Sequence, residues 1–103
     1  MKSGDVQARG SKIEAIQLAV AGAFSLSVDE LGKPDMRRTV LIPRQIAMYL
    51  AKQMTEASLP EIGRQFGNKH HTTVMHSINK IEALRRQDKD LHRMISKMID
   101  SFG

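Results

Sequence analysis

Between Ser11 and Phe102 the apolar residues come in short series spaced three and four apart, separated by small polar clusters. That spacing puts each series on one side of a helix. Ile13, Ile16, Val20, Ala23 and Phe24 line a helix from Lys12 to about Ala23, with Ser11 as its cap. Ile46, Ala47, Leu50, Ala51 and Met54 stripe a helix opened by Pro43, whose fixed φ and missing N–H suit a first helical position. Arg44, Gln45 and Lys52 fall off that stripe. Val74, Ile78, Ile81 and Leu84 line a helix starting near His70, with Thr72, Thr73, His76, Lys80 and Arg86 on its other side. Leu91, Met94, Ile95, Met98, Ile99 and Phe102 line a last helix that Asp88 or Asp90 can cap. No segment alternates apolar and polar residues with β-branched enrichment, so no strand is predicted and the fold class is all-α.

Punctuation between the stripes sharpens the boundaries. Ser27-Val28-Asp29-Glu30 has the spacing of a capping box and starts a helix of little more than one turn, ending at Leu31-Gly32. Ser58-Leu59-Pro60-Glu61 has the same spacing, with a proline in the first turn. Gly67-Asn68 stops that second helix, because both residues tolerate positive φ. Residues 33–42, with Pro34 and clustered charges, read as a loop. Residues 1–10 are polar, hold two glycines and have no period. They read as a mobile lead-in to a single domain over 11–103.

Residues 58–86 therefore form a short helix, a tight Gly-containing turn and a longer amphipathic helix, which is a helix-turn-helix. Charge adds to this. The net charge is +5 and the isoelectric point about 9.9. Residues 1–31 carry three positive and four negative side chains, and residues 87–103 carry three of each. Residues 32–86 carry ten positive and four negative, so the whole excess surrounds the helix-turn-helix. A polyanion is the natural partner for such a surface, although many small proteins carry a merely solvated basic face.

Other chemistries fit poorly. The absence of cysteine excludes a disulfide framework and cysteine-based zinc sites. His71 and His76 are five apart on one helix, with no carboxylate or cysteine completing a ligand set. No nucleophile elbow or P-loop motif occurs, so neither an enzyme nor an ATP site is expected, and no cofactor. No run of about 18 apolar residues occurs. A cytoplasmic, nucleoid-associated location with no membrane partner is the expectation. The balanced charge of the last helix favours core packing over a lipid surface. The seven methionines read as flexible core filler.

SLPEIGRQFGNKHHTTVMHSINKIE, preceded by PRQIAMYLAKQMT, closely resembles the C-terminal DNA-binding domain (domain IV) of the bacterial replication initiator DnaA. That family's signature runs approximately S-L-P-x-I-G-x-x-F-G-G-R-D-H-T-T-V-x-H-A, with P-R-Q-x-A-M-x-L one helix earlier. The resemblance covers roughly residues 11–100. It implies about six helices with a Trp-repressor-like helix-turn-helix that binds the DnaA box. It also implies base reading by His71 and Thr72 in the major groove, and packing of Leu59 and Pro60 on thymine methyl groups. Phosphate contacts are implied at Arg44, Gln45, Lys52, Thr55, Thr73, His76 and Lys80, and Lys69 joins them as an expected contact beside the turn. The physics is consistent: a helix N-terminus offers donors, hydroxyls and cations suit phosphate oxygens, and an apolar side chain suits a thymine methyl.

Three departures from the family matter. The family's Asp before the His is His70 here, a potential donor at a base-reading position where the Asp accepts. The minor-groove Arg of the family aligns with Met36, leaving Arg37 or Arg38 to substitute after a small loop shift. The initiator's ATPase module is missing, so the chain reads either as an excised domain or, since it begins with Met, as a small stand-alone relative, the reading favoured here.

The expected function is sequence-specific binding of double-stranded DNA at DnaA-box-like sites, in control of replication initiation or transcription, by a monomer with possible contacts to replication proteins. Two rivals come from other classes. One is a helical adaptor or inhibitor of the replication machinery with weakened DNA binding. The other is a non-specific nucleic-acid coat.

Overall fold

A computed structural model describes residues 3–34 and 37–102. Six helices follow in order: α1 (Ser3–Ala23), α2 (Val28–Gly32), α3 (Arg38–Met54), α4 (Leu59–Gln65), α5 (His71–Gln87) and α6 (Lys89–Phe102). There is no strand among the described residues, so the all-α expectation holds.

The architecture is organised around α3, which packs against all five other helices. Every residue from Pro43 to Ala51 is buried as a result. This overturns the one-sided stripe expected for that helix. An amphipathic pattern describes a helix lying on a core; one that runs through the core is covered on all sides. Arg44 and Gln45, expected off the stripe, are only 4% and 8% exposed. The helix also starts earlier than expected, at Arg38, within the predicted loop. Pro43 is its sixth residue rather than its first, so Thr39 accepts no i→i+4 bond from that position. Met36 and Asp35 lie outside the described residues.

The other boundaries follow the sequence closely. Both capping boxes form. Ser27 Oγ accepts from the Glu30 N–H while the Glu30 carboxylate accepts from the Ser27 N–H, and Ser58 and Glu61 repeat the pattern. The Ser27 backbone and hydroxyl donors hold the Glu30 carboxyl below its ordinary range. Asp88, rather than Asp90, caps α6: its Oδ1 accepts from the N–H groups of Asp90 and Leu91.

Helix α1 departs from expectation at both ends. It begins at Ser3, so Ser11 is an exposed residue inside the helix and not a cap. Ala23, assigned to the packing stripe, is exposed, while Gln17 is buried with its amide donating to the Gln65 carbonyl at 2.8 Å. The helix ends on Ser25 at φ 57°, with the Leu26 N–H reaching back to the Ala21 carbonyl. That is the left-handed helix stop usually made by glycine.

The core joins Ile13, Ile16 and Val20 of α1 to Ile46, Met48 and Leu50 of α3, Ile62 of α4, Phe66 beyond it, Val74 and Ile81 of α5 and Ile95 of α6. Leu91, Met94, Met98, Ile99 and Phe102 pack partly buried around it, as the α6 stripe predicts. This core holds α4 and α5 in one fixed relation, with the N-terminus of α5 left outside.

Candidate nucleic-acid interface

The turn between α4 and α5 is built by two glycines and one asparagine. Gly67 has φ 80° and Asn68 φ 60°, the left-handed region that their sequence predicts. The Lys69 N–H then donates to the Gly63 carbonyl at 2.8 Å, closing the turn. A Cβ at Gly63 would collide with the Lys69 carbonyl, so the chain can fold back this tightly only with glycine there. Phe66 is fully buried and fastens the turn to the core.

At the far side of the turn, His70 is the N-cap of α5. Its Nδ1 accepts from the Thr72 N–H at 3.2 Å and lies 2.7 Å from Thr72 Oγ1. An accepting Nδ1 carries no proton, so the Thr72 hydroxyl is the donor in that second contact and its oxygen lone pairs point elsewhere. His70 therefore caps the helix first, and can donate outward only through Nε2. The His71 ring sits 4.3 Å from the His70 ring at a 32° tilt. His70, His71 and Thr72 are all exposed. Val74, Ser77 and Ile81 of the same helix are buried, so Thr72 lies opposite the packing side and His71 is exposed in the first turn.

The remaining expected contacts divide into two groups. Lys52, Thr73, His76 and Lys80 are exposed. Lys52 Nζ lies 3.5 Å from the Ala57 carbonyl, a weak tie that leaves it able to turn outward. Pro60 is exposed and Leu59 half-buried in the first turn of α4. Arg37 and Arg38 are exposed, but Arg38 is the first residue of α3 and Arg37 its N-cap, so neither lies in an open loop.

Four residues expected to hold phosphates are buried or half-buried and engaged within the domain. Arg44 Nη1 donates to the Lys33 carbonyl at 2.6 Å. Lys69 is half-buried, and its Nζ donates to the Gly32 carbonyl at 2.9 Å. Burial pushes the Lys69 ammonium below its usual range, and nearby Arg44 adds to the shift. The Thr55 hydroxyl donates its one proton to the Ala51 carbonyl at 2.6 Å and accepts from the Ala57 N–H at 3.1 Å, so it has no donor left for a phosphate. Gln45 is buried with its Oε1 facing no partner.

For Arg85 the sequence suggests a structural role at the end of α5 as readily as a DNA contact, but does not show its partners. Arg85 is half-buried, and its three nitrogens donate to Tyr49 Oη at 2.8 Å, Ser96 Oγ at 3.1 Å and His92 Nδ1 at 3.3 Å. Its guanidinium also lies 5.7 Å from the centre of the Tyr49 ring. One side chain thus ties α3, α5 and α6 together. The available signal was Tyr49 on a packing helix, because a buried phenol needs a hydrogen-bond partner. No group of three His, Cys, Asp or Glu side chains that could hold a metal ion occurs among the described residues.

An outward helix N-terminus carrying imidazoles and hydroxyls, set on a Gly-closed turn and a buried core, defines a helix-turn-helix DNA-binding domain. A family model described as the bacterial dnaA protein helix-turn-helix matches residues 13–81. The chain is 45% identical over 92 residues to the chromosomal replication initiator protein DnaA of Lactobacillus delbrueckii subsp. bulgaricus, covering 89% of this chain and 20% of that protein. It is 51% identical over 79 residues to that of Cereibacter sphaeroides, covering 77% and 17%. With that of Bartonella quintana it is 49% identical over 92 residues, covering 89% and 19%. The chain belongs to the bacterial DnaA helix-turn-helix family, as the SLPEIG…HHTTV signature implied. It spans about a fifth of the length of the curated relatives it matches.

Proposed function

We propose that this domain binds double-stranded DNA sequence-specifically at sites like the DnaA box, as a monomer, and serves control of chromosome replication initiation or transcription. The observation that carries this reading is the exposure of His71 and Thr72 at the start of α5 while Val74, Ser77 and Ile81 behind them are buried. His71, Thr72 and the Nε2 of His70 read base edges in the major groove. Leu59 and Pro60 contact thymine methyls. Lys52, Thr73, His76 and Lys80 hold phosphates, and Arg37 or Arg38 reaches the adjacent minor groove.

Arg44 and Lys69 act differently from the expected direct contacts. Their donors grip the carbonyls of Lys33 and Gly32 and so fix the root of the segment that leads to Arg37. Their charge still attracts the polyanion, but their geometry serves the fold.

Selection of bound duplexes from a random pool tests the proposal. A single motif related to the DnaA box is the expected result. Retained duplexes without a motif would replace recognition by coating, and no retention at low salt would favour a protein-binding adaptor.

A further inference from the structure

Leu18 and Met75 are the two large hydrophobic side chains that stand exposed among the described residues. Leu18 lies on α1, which is not part of the helix-turn-helix. Met75 lies on α5, four residues after His71 and three after Thr72, at 40% exposure. Those spacings place it on the same face as the base-reading residues. Its neighbour four positions on, Asn79, is also exposed. It is not among the apolar residues packed on the core, so its burial contributes little to the fold.

We propose that Met75 is a further specificity-determining residue, contacting the 5-methyl group of a thymine in the major groove; this rests on the sequence-specific DNA binding proposed above. Three physical points carry it. Helical side chains lean toward the helix N-terminus, so Met75 covers the turn that bears His71 and Thr72. Residues one turn into a recognition helix stay within reach of the groove, four positions being a rise of about 6 Å. The thymine methyl is the apolar feature of the major-groove edge, and an unbranched thioether has no hydrogen to donate to anything else there. An aliphatic side chain on an otherwise polar reading face is thereby matched to one base and to no phosphate.

The test is a cycle between protein and DNA. Each thymine of the selected duplex is replaced in turn by deoxyuridine, which removes only the methyl group, and affinities are measured for the unaltered protein and for Met75→Ala. At one thymine, the unaltered protein is expected to lose about fourfold on removal of the methyl, the worth of one buried carbon, while Met75→Ala loses nothing there. At the other thymines both proteins should respond alike. If every replacement weakens the two proteins equally while the motif is still bound, Met75 is not a reader. If the unaltered protein prefers no motif at all, the proposed function fails instead, and this inference with it.

Discussion

The Lys69 ammonium donates to the Gly32 carbonyl across 37 positions of sequence, at 2.9 Å. The backbone closes the same junction, because Gly67 packs so near to Gly32 that a Cβ there would strike the Gly32 carbonyl. The turn of the helix-turn-helix and the exit of α2 are therefore one structural unit. The segment carrying Arg37 is fastened at its root to the turn that presents His71.

Loss of this tether has a testable signature. Lys69→Met is expected to destabilise the domain by about 1 kcal/mol, the net worth of a typical intramolecular hydrogen bond. Amide hydrogen exchange should accelerate at Gly32 and Lys33 more than in α5. The group also confers a pH dependence. The folded pKa lies below the usual 10.5, so between those two values the unfolded chain binds more protons than the folded one. Stability from this group therefore rises with pH across that window and is lower beneath it. Denaturant titrations from pH 8 to 11 should show the rise in the parent protein and lose it in Lys69→Met.

Gly67→Ala tests the backbone half of the junction. A non-glycine residue at positive φ costs about 1–2 kcal/mol, and the collision with Gly32 adds to that. A total loss above about 2 kcal/mol is expected by chemical denaturation. Asn68→Gly, at φ 60°, should change stability by less than about 1 kcal/mol. Equal losses at the two positions would contradict the close packing of Gly67 on Gly32.

Arg85 is expected to be a stability residue rather than a DNA ligand. Arg85→Met keeps the aliphatic stem but leaves Tyr49 Oη and Ser96 Oγ without their donor. A loss of about 1.5–3 kcal/mol is expected for hydrogen bonds involving a charged group. Each kcal/mol should lower Tm by about 4–8 °C in a domain of this size. Below the new Tm, affinity for the selected duplex should fall by less than about twofold, against the much larger effect of a lost base contact.

The division between base and phosphate contacts predicts opposite phenotypes. His71→Ala is expected to lose about 1–3 kcal/mol of discrimination against a mismatched site. Lys52→Ala should weaken matched and random duplexes alike and make the salt slope shallower by about one. With Arg44 and Lys69 directed inward, Lys52, Lys80, Arg37 and Arg38 remain as exposed cations of the proposed contact set. The slope of log K against log salt should then be about −3 to −4, shallower than the −5 or so that six phosphate contacts produce. Fluorescence titration at several KCl concentrations measures it, and a flat line would remove phosphate contact from the account.

What the sequence determined by itself was local. Ser27 with Glu30 and Ser58 with Glu61 specify helix starts, because a cap and its partner lie within one turn. Gly67 and Asn68 specify the stop, because their own φ preferences do so. The Val74–Leu84 stripe specifies which side of α5 packs and places Thr72 opposite it, while His71 is exposed as the first residue of the helix. Each of these signals acts over a few residues and needs no distant partner.

Long-range packing settled how many sides of a helix are covered and which cations are committed to carbonyls. The period of α3 marks an apolar stripe, yet five neighbouring helices also bury Arg44, Gln45 and Tyr49. Lys69 reaches Gly32, Arg44 reaches Lys33 and Arg85 reaches Tyr49 only after those helices meet. A charged side chain carries the same letter whether it faces water or a backbone oxygen. The choice is made by the long-range packing that brings an unpaired carbonyl or phenol within about 3 Å of it.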